Sequence, residues 1–115
     1  MKKIMIVDDE QISLMMTENI LQTQYHTVCA NSGQDAISLF FKERPDMVLS
    51  DLRMPGMSGY ELQQRLEEQT GGQIPFMFMT ADNDDETESK GFENGALDFI
   101  RKPFRADVLL RRIGN

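Results

Sequence analysis

Aspartates close two of the apolar runs in this sequence. A run over residues 4–7 leads directly into Asp8 and Asp9, and a second run over residues 47–50 leads into Asp51. A carboxylate at the end of a buried strand is costly unless it is paired or binds a cation. Each aspartate alone would be an ordinary turn residue. Three of them at the same structural level indicate a shared metal or phosphoryl site.

Two further apolar runs end in groups that could complete such a site. Thr80 closes the run over residues 76–79, and Ala81 after it is small enough to leave room. Lys102 follows the last run and precedes Pro103. A carboxylate, a hydroxyl and a lysine around a bound cation form a phosphoryl-transfer site, because the cations neutralise charge while a carboxylate attacks phosphorus.

The donor atoms available at this site are oxygens. His26 is the only histidine and Cys29 the only cysteine, so neither a His/Cys metal cluster nor a disulfide can form within the chain. Clustered carboxylates select a hard cation, which we expect to be Mg²⁺, with Mn²⁺ as the alternative. Without that cation, mutual repulsion should raise the proton affinity of at least one carboxylate.

Five apolar runs predict the strands that position these residues, at 3–7, 27–30, 46–50, 75–79 and 96–100. Helical-period stretches separate them, which favours a doubly wound α/β fold with a parallel sheet covered on both faces. The strand order 2-1-3-4-5 places the first and third strands side by side. Ligands of such sheets bind at the carboxyl ends of the strands, where Asp8, Asp9 and Asp51 lie.

Apolar stripes and cap residues predict the helices. Ser32 and Ser58 are expected to begin the second and third helices, and Ser58 with Glu61 forms a capping box. Residues 82–95 are polar and acidic until Phe92, which predicts a weakly docked fourth helix. The first helix is expected to bury the stripe formed by Ile12, Met15, Met16 and Ile20.

The bulk composition describes one globular domain. The chain has 115 residues, 40% of them hydrophobic, and a net charge of −7. An acidic surface argues against direct binding of nucleic acid or an anionic membrane. The single cysteine suits a reducing compartment, and no targeting or membrane-spanning segment is visible, so a cytoplasmic location is expected.

With these residues the chain resembles the receiver domain of bacterial two-component response regulators, in the CheY-like superfamily. The resemblance covers essentially all of residues 1–115 as one receiver domain, and leaves open whether the chain is the N-terminal part of a longer protein with an output domain. It implies a three-layer, flavodoxin-like fold with five strands. Its specific segments are IMIVDDE at residues 4–10, DMVLSDLRMPGMSG at residues 46–59 and KPF at residues 102–104.

The resemblance implies roles for the acidic residues. Asp51 would be the phosphoacceptor, and its donor would be a phosphohistidine on a sensor histidine kinase or phosphotransfer protein. Asp9 and Asp51 would ligate Mg²⁺ directly, with the backbone carbonyl of Arg53 as a third ligand and Asp8 acting mostly through water. Because the phosphoryl group is transferred onto the domain itself, the domain is not expected to be an enzyme with an external substrate.

The resemblance also assigns the residues that respond to phosphorylation. Thr80 would bond a phosphoryl oxygen, Lys102 would pair with it, and the bond between Lys102 and Pro103 would be cis. The ring of Phe99 is expected to turn inward when Thr80 moves toward the phosphate. The surface formed by the fourth helix, the fifth strand and the last helix would then bind an output domain, a downstream protein or a second copy of the chain.

The sequence also suggests one further pair of interacting residues, and it leaves three alternative functions open. Arg53 and Asp82 each lie two residues beyond a site residue, so we expect them to pair across its mouth and limit hydrolytic water. An aspartate-dependent phosphatase usually has a second Asp where this chain has Arg53. A flavin-binding electron carrier would need a phosphate loop where Asp9 and Glu10 stand. A receiver that binds partners without being phosphorylated is the remaining alternative.

Overall fold

The computed structural model describes residues 2–81 and 98–114 of the chain. The predicted polar helix, the first two residues of the predicted fifth strand, and Asp82 lie outside the described residues. Among the described residues, no helix is long and apolar enough to cross a membrane. In chain order the elements are β1 (Lys3–Val7), α1 (Gln11–Leu21), β2 (His26–Ala30), α2 (Gly33–Glu43), β3 (Met47–Asp51), α3 (Gly59–Thr70), β4 (Phe76–Thr80), β5 (Asp98–Arg101) and α4 (Ala106–Gly114).

The strands form one parallel sheet in the order β2-β1-β3-β4-β5, which confirms the predicted α/β class and strand order. β1 has its predicted limits, and the limits of β2, β3 and β4 differ from the predicted ones by one residue. His26 opens β2 as an exposed residue, and Asp51 and Thr80 are the last residues of β3 and β4. The sheet ladder therefore fixes the backbone of both site residues.

The sheet buries both faces, as parallel sheets do. On one face Met5, Val7, Val48, Phe76 and Phe78 pack with the buried residues of α2 and α3. Their neighbours along the strands point to the opposite face and pack with α1 and α4. Because successive strand residues point to opposite faces, a strand buried on both sides reads as a continuous apolar run. This is the pattern that predicted β1, β3 and β4.

The predicted apolar stripe of α1 is wrong for three of its four residues. Ile12, Met15 and Met16 are 75%, 52% and 61% exposed. The helix instead buries Leu14, Thr17 and Leu21, and Ile20 packs partly against the core. Apolar residues occupy more than one side of α1, so the 3.6-residue period allows two stripes. Packing on the sheet selects the stripe that includes Leu14 and Leu21.

Side-chain caps begin α2 and α3, as predicted. The Oγ of Ser32 accepts a hydrogen bond from the amide of Asp35 at 3.1 Å, and the Oγ of Ser58 accepts one from the amide of Glu61 at 3.2 Å. Each cap satisfies an amide that has no partner inside the helix. The cap at Ser58 also fixes the loop that leads away from Asp51.

Candidate functional site

Four strands deliver polar side chains to the carboxyl edge of the sheet. Asp8 follows β1, Asp51 ends β3, Thr80 ends β4 and Lys102 follows β5. The amide of Lys102 donates to the carbonyl of Thr80 at 2.8 Å, which continues the ladder between β4 and β5 beyond the strands. Parallel strands end at the same edge, so residues far apart in the sequence meet there.

The three aspartates form a compact cluster of oxygens. One carboxylate oxygen from each of Asp8, Asp9 and Asp51 can be chosen so that all three lie within 4.8 Å of one another. Asp8 and Asp51 are buried, whereas Asp9 is exposed and closes the cluster from the solvent side. A set of carboxylate oxygens at this spacing fits a hard divalent cation such as Mg²⁺.

Lys102 contacts both buried carboxylates. Its Nζ lies 2.9 Å from Oδ2 of Asp8 and 3.5 Å from Oδ1 of Asp51. Burial acts to lower the pKa of Lys102, but the hydrogen bond to Asp8 and the attraction of Asp51 outweigh burial, so the pKa is raised. Lys102 is therefore a fixed positive charge within the cluster. The peptide bond between Lys102 and Pro103 is cis.

The carboxyl group of Asp51 binds a proton more tightly than usual. Burial is the largest cause, the positive charge of Lys102 opposes it, and the negative charges of Asp8 and Asp9 add to it, so that the pKa rises from 3.8 to about 6. The predicted rise in proton affinity is confirmed, although burial contributes more than repulsion. A group with this pKa is still mostly ionised at neutral pH and can act as a nucleophile.

Backbone contacts fix both buried aspartates. The amide of Asp8 donates to the carbonyl of Ala30 at 3.1 Å, and Oδ1 of Asp8 accepts from the amide of Glu10 at 3.0 Å. The carbonyl of Asp51 accepts from the Oγ of Ser50 at 2.9 Å. The Oδ2 of Asp8 is thus directed at Lys102, and Asp51 presents its side chain to the same point.

Gly59 supports Asp51 in a way that sequence reasoning missed. Its amide donates to the carbonyl of Leu52 at 2.9 Å. A Cβ atom at this position would lie 2.6 Å from the carbonyl oxygen of Asp51 and 2.8 Å from the ring of Phe78. The contact with backbone oxygen leaves no room for a side chain. A glycine directly after a cap residue was the available signal, but the sequence does not reveal what approaches it.

The remaining predicted residues surround this cluster. Thr80 is 2% exposed and Phe99 is 4% exposed. The ring of Phe99 packs on Phe78 with a centroid distance of 5.6 Å, so it points inward. Arg53, Ala81 and Pro103 are exposed at the rim. The expected pairing of Arg53 with Asp82 stays a prediction, because Asp82 lies outside the described residues.

Comparisons with known proteins agree with this geometry. Residues 4–114 match the family model for the response regulator receiver domain. The chemotaxis protein CheY4 of Vibrio cholerae is similar, with a TM-score of 0.92 and 29% identity over 99% of this chain and 97% of that chain. A protein of Chloroflexus aurantiacus J-10-fl that has been assigned as a response regulator gives a TM-score of 0.89 and 33% identity over 99% and 95%. NtrX of Brucella abortus matches over 98% of this chain but 26% of its own length, with 28% identity and a TM-score of 0.90.

Proposed function

Because the chain belongs to the response regulator receiver domain family, whose members signal through phosphorylation, we propose that Asp51 accepts a phosphoryl group from a phosphohistidine on a kinase or phosphotransfer protein. The observation that carries this proposal is the arrangement around Asp51. A buried carboxylate lies against a fixed lysine and within reach of two further carboxylates. This arrangement places a nucleophile next to a positively charged lysine and to oxygens that fit a cation, and these are the charges that stabilise a transferred phosphoryl group.

The transfer conserves atoms and electrons without a co-reactant. An oxygen of Asp51 attacks phosphorus, the bond between phosphorus and the donor's imidazole nitrogen breaks, and that nitrogen keeps the electron pair. Lys102 balances the negative charge of the phosphoryl oxygens, and the hydroxyl of Thr80 donates to one of them. Asp51 is consumed as the acceptor, so the domain acts on itself and does not turn over an external substrate.

The oxygen cluster would hold Mg²⁺ during this transfer. Asp8, Asp9 and Asp51 would supply carboxylate oxygens, and the backbone carbonyl of Arg53 is proposed as a further ligand. When bound, Mg²⁺ neutralises charge on the phosphoryl oxygens as they approach the carboxylates. Without the ion, the positive charge of Lys102 partly neutralises Asp8 and Asp51. The cluster is therefore suited to binding its cation reversibly.

Labelling with a small phosphodonor tests the proposal. Wild type incubated with acetyl phosphate and Mg²⁺ should gain the mass of one phosphoryl group, and Asp51→Asn should gain none. Asp35→Asn removes an exposed carboxylate from the first turn of α2 and should be labelled like wild type. Chelating Mg²⁺ should slow the labelling by about a hundredfold or more. Labelling of Asp51→Asn at the wild-type rate, or an unlabelled wild type, contradicts the proposal.

The exposed apolar face of α1 supports a docking site for the donor protein. Ile12, Met15 and Met16 lie on the helix that begins directly after Asp9 and Glu10. An exposed apolar patch beside a reaction site typically binds a protein partner. We propose that a helical phosphodonor packs on this face, which would bring its phosphohistidine to Asp51.

Replacing Ile12 and Met16 by serine should separate docking from chemistry. Transfer from a phosphorylated histidine phosphotransfer protein is expected to slow about tenfold or more, because hot-spot side chains at the centre of an interface contribute more than about 1 kcal/mol each. Labelling by acetyl phosphate should be unchanged. Gln64→Ser with Gln69→Ser, on an exposed face of α3, is the matched control. Equal transfer rates for both double variants would rule out this docking face.

The β5 end of the sheet supports an output surface. The groove between β5 and α4 is lined by apolar residues, including Phe104 and Val108, by Arg101, Arg105 and Arg112, and by Asp98, which pairs with Arg112. Its arginines outnumber its single lining aspartate although the net charge of the whole chain is −7, and Arg105 also pairs with Asp107 beside the groove. We propose that phosphorylation changes the partner preference of this surface, toward an output domain, a downstream protein or a second copy. An acidic binding partner would complement its charge.

A further inference from the structure

The peptide groups of Phe99 face the open edge of the sheet. Among the described strands, β5 lies at one end of the order and pairs only with β4. Lys102 donates its amide to Thr80, and strand residues alternate in the direction of their peptide groups. Ile100 therefore faces β4 through its backbone, whereas the N–H and C=O of Phe99 point away from the sheet. Outward groups on an edge strand need partners from elsewhere.

Two side chains supply those partners. The amide of Phe99 donates to Oδ1 of Asp98 at 2.7 Å. Nη1 of Arg112, on α4, donates to the carbonyl of Phe99 at 2.6 Å and to the same Oδ1 of Asp98 at 3.1 Å. We name Asp98, Phe99 and Arg112 the edge clasp. It closes both outward peptide groups of Phe99 and ties β5 to the C-terminal helix.

The ring of Phe99 lies between the edge clasp and the residues next to the phosphorylation site. It packs on Phe78, whose ring also contacts Tyr60 edge-on at a centroid distance of 5.1 Å. Phe78 lies against Gly59, at the same position where the backbone of Gly59 approaches the carbonyl of Asp51. A series of neighbouring groups therefore runs from Arg112 through Phe99 and Phe78 to Gly59, which lies next to the backbone carbonyl of Asp51. Each step is a contact between closely packed groups with little free space.

We propose that Arg112 is a positioning residue that holds Phe99 in the inward position and so favours phosphorylation of Asp51. The inference rests on the proposed function. It goes beyond it by assigning the control of the inward ring to a residue on the last helix, at a distance from the carboxylate cluster. Arg112 touches neither Asp51 nor the phosphoryl group, and it acts through the backbone of β5.

The direction of the effect follows from the conformation of the ring. Phe99 is buried in this structure, and its ring packs on Phe78. The resemblance to receiver domains implies that the phosphorylated form has the inward ring, so the edge clasp stabilises the conformation that accepts the phosphoryl group. A ligand binds in proportion to the population of its competent state. Loss of the Arg112 contacts lowers that population, and labelling of Asp51 slows by the same factor.

Three proteins test the inference: wild type, Arg112→Gln and Arg111→Gln. Arg111 is the neighbouring exposed arginine of α4, and its replacement removes the same charge without a contact to Phe99. Labelling by acetyl phosphate with Mg²⁺ is measured by mass for all three. We expect a decrease of about threefold or more for Arg112→Gln and less than about 1.5-fold for Arg111→Gln. Native-state amide exchange, without donor or Mg²⁺, is measured in parallel.

Amide exchange tests the edge clasp itself. The amide of Phe99 should exchange about tenfold faster in Arg112→Gln, because Asp98 loses the arginine that orients it, while the amides of Met5 and Ile6 in β1 keep their wild-type rates. If Arg112 only stabilised the fold as a whole, its replacement would speed exchange at the amides of Phe99, Met5 and Ile6 together. Parallel acceleration, or an unchanged Phe99 amide, overturns the inference.

The two measurements also separate this inference from the proposed function. Normal labelling of wild type with equal rates in both variants overturns the role of Arg112 and leaves the proposed function standing. An unlabelled wild type overturns the proposed function, and with it the effect of Arg112 on phosphorylation. Slower labelling of Arg112→Gln together with selective exchange of Phe99 supports both.

Discussion

Lys102→Met is expected to be about 3–5 kcal/mol less stable than wild type in metal-free buffer at neutral pH. Lys102 is the positive charge next to Asp8, which is fully buried, and Asp51, which is 8% exposed. Methionine keeps most of the apolar length of the side chain but leaves two buried carboxylates facing each other. Breaking a buried pair by removing one partner is strongly destabilising, because the remaining charge is uncompensated.

Denaturant unfolding in the presence of a chelator measures this effect. Lys42→Met, at an exposed position on α2, is the matched control and should stay within about 0.5 kcal/mol of wild type. Added Mg²⁺ should restore part of the stability of Lys102→Met, because a cation in the oxygen cluster replaces the missing charge. Equal stability of the two lysine variants would show that Lys102 does not neutralise the cluster.

Asp51→Asn should be more stable than wild type at neutral pH in metal-free buffer, by at most about 3 kcal/mol. The pKa of Asp51 rises from 3.8 to about 6 in the folded protein, and a tenfold change in proton affinity corresponds to about 1.4 kcal/mol. The raised pKa means that the folded state resists ionisation of this carboxyl group. Asparagine has nearly the same shape and carries no charge, so it avoids this unfavourable ionisation.

The pH dependence gives the sign of the effect. Below the unfolded pKa, near 3.8, Asp51 is protonated in both states, and wild type and Asp51→Asn should be equally stable. As pH rises through the interval up to about 6, the unfolded chain releases its proton first and wild type loses stability relative to the variant. The full difference is expected above that interval. Thermal unfolding across this pH range measures it.

Asp35→Asn and Mg²⁺ provide the controls for this prediction. Asp35 is exposed in the first turn of α2, so its replacement should give no stabilisation at any pH. Saturating Mg²⁺ should reduce the advantage of Asp51→Asn, since the ion offsets the charge of the wild-type cluster. A constant difference between Asp51→Asn and wild type from acid to neutral pH would contradict the raised pKa.

Combining the two substitutions tests whether they act on one cluster. Residues that share a charge network give non-additive changes in stability. Asp51→Asn should stabilise Lys102→Met by more than it stabilises wild type, because it removes one of two carboxylates that no longer have a lysine partner, and an equal gain in both backgrounds would contradict a shared cluster. A stabilising Asp51→Asn together with a destabilising Lys102→Met would show that the ionised carboxylate of Asp51 lowers the stability of the folded protein.

Local sequence patterns were sufficient for much of the fold. Continuous apolar runs predicted β1, β3 and β4, because strands buried on both faces need no alternation. Ser32 and Ser58 predicted the starts of α2 and α3, because a cap is a contact between residues three positions apart. The chain order of strands and helices then restricted the sheet to the observed order.

The position of α1 shows where local patterns fail. Ile12, Met15 and Met16 have helical spacing and apolar character, and so do the residues that the helix buries. Spacing alone cannot say which side of a helix with apolar residues on several sides meets the sheet. The packing of Leu14 and Leu21 against β1 and its neighbours decides it, and the other stripe is left at the surface.

The chemical groups of the site and the strand ends that carry them follow from local sequence patterns, because strand order and parallel direction bring Asp8, Asp51, Thr80 and Lys102 to one edge. How these groups affect one another depends on their arrangement in the folded protein. The bond from Lys102 to Asp8 joins residues 94 positions apart, and the raised pKa of Asp51 depends first on burial. Burial and distances between remote side chains arise from three-dimensional packing, which neighbouring residues in the sequence do not specify.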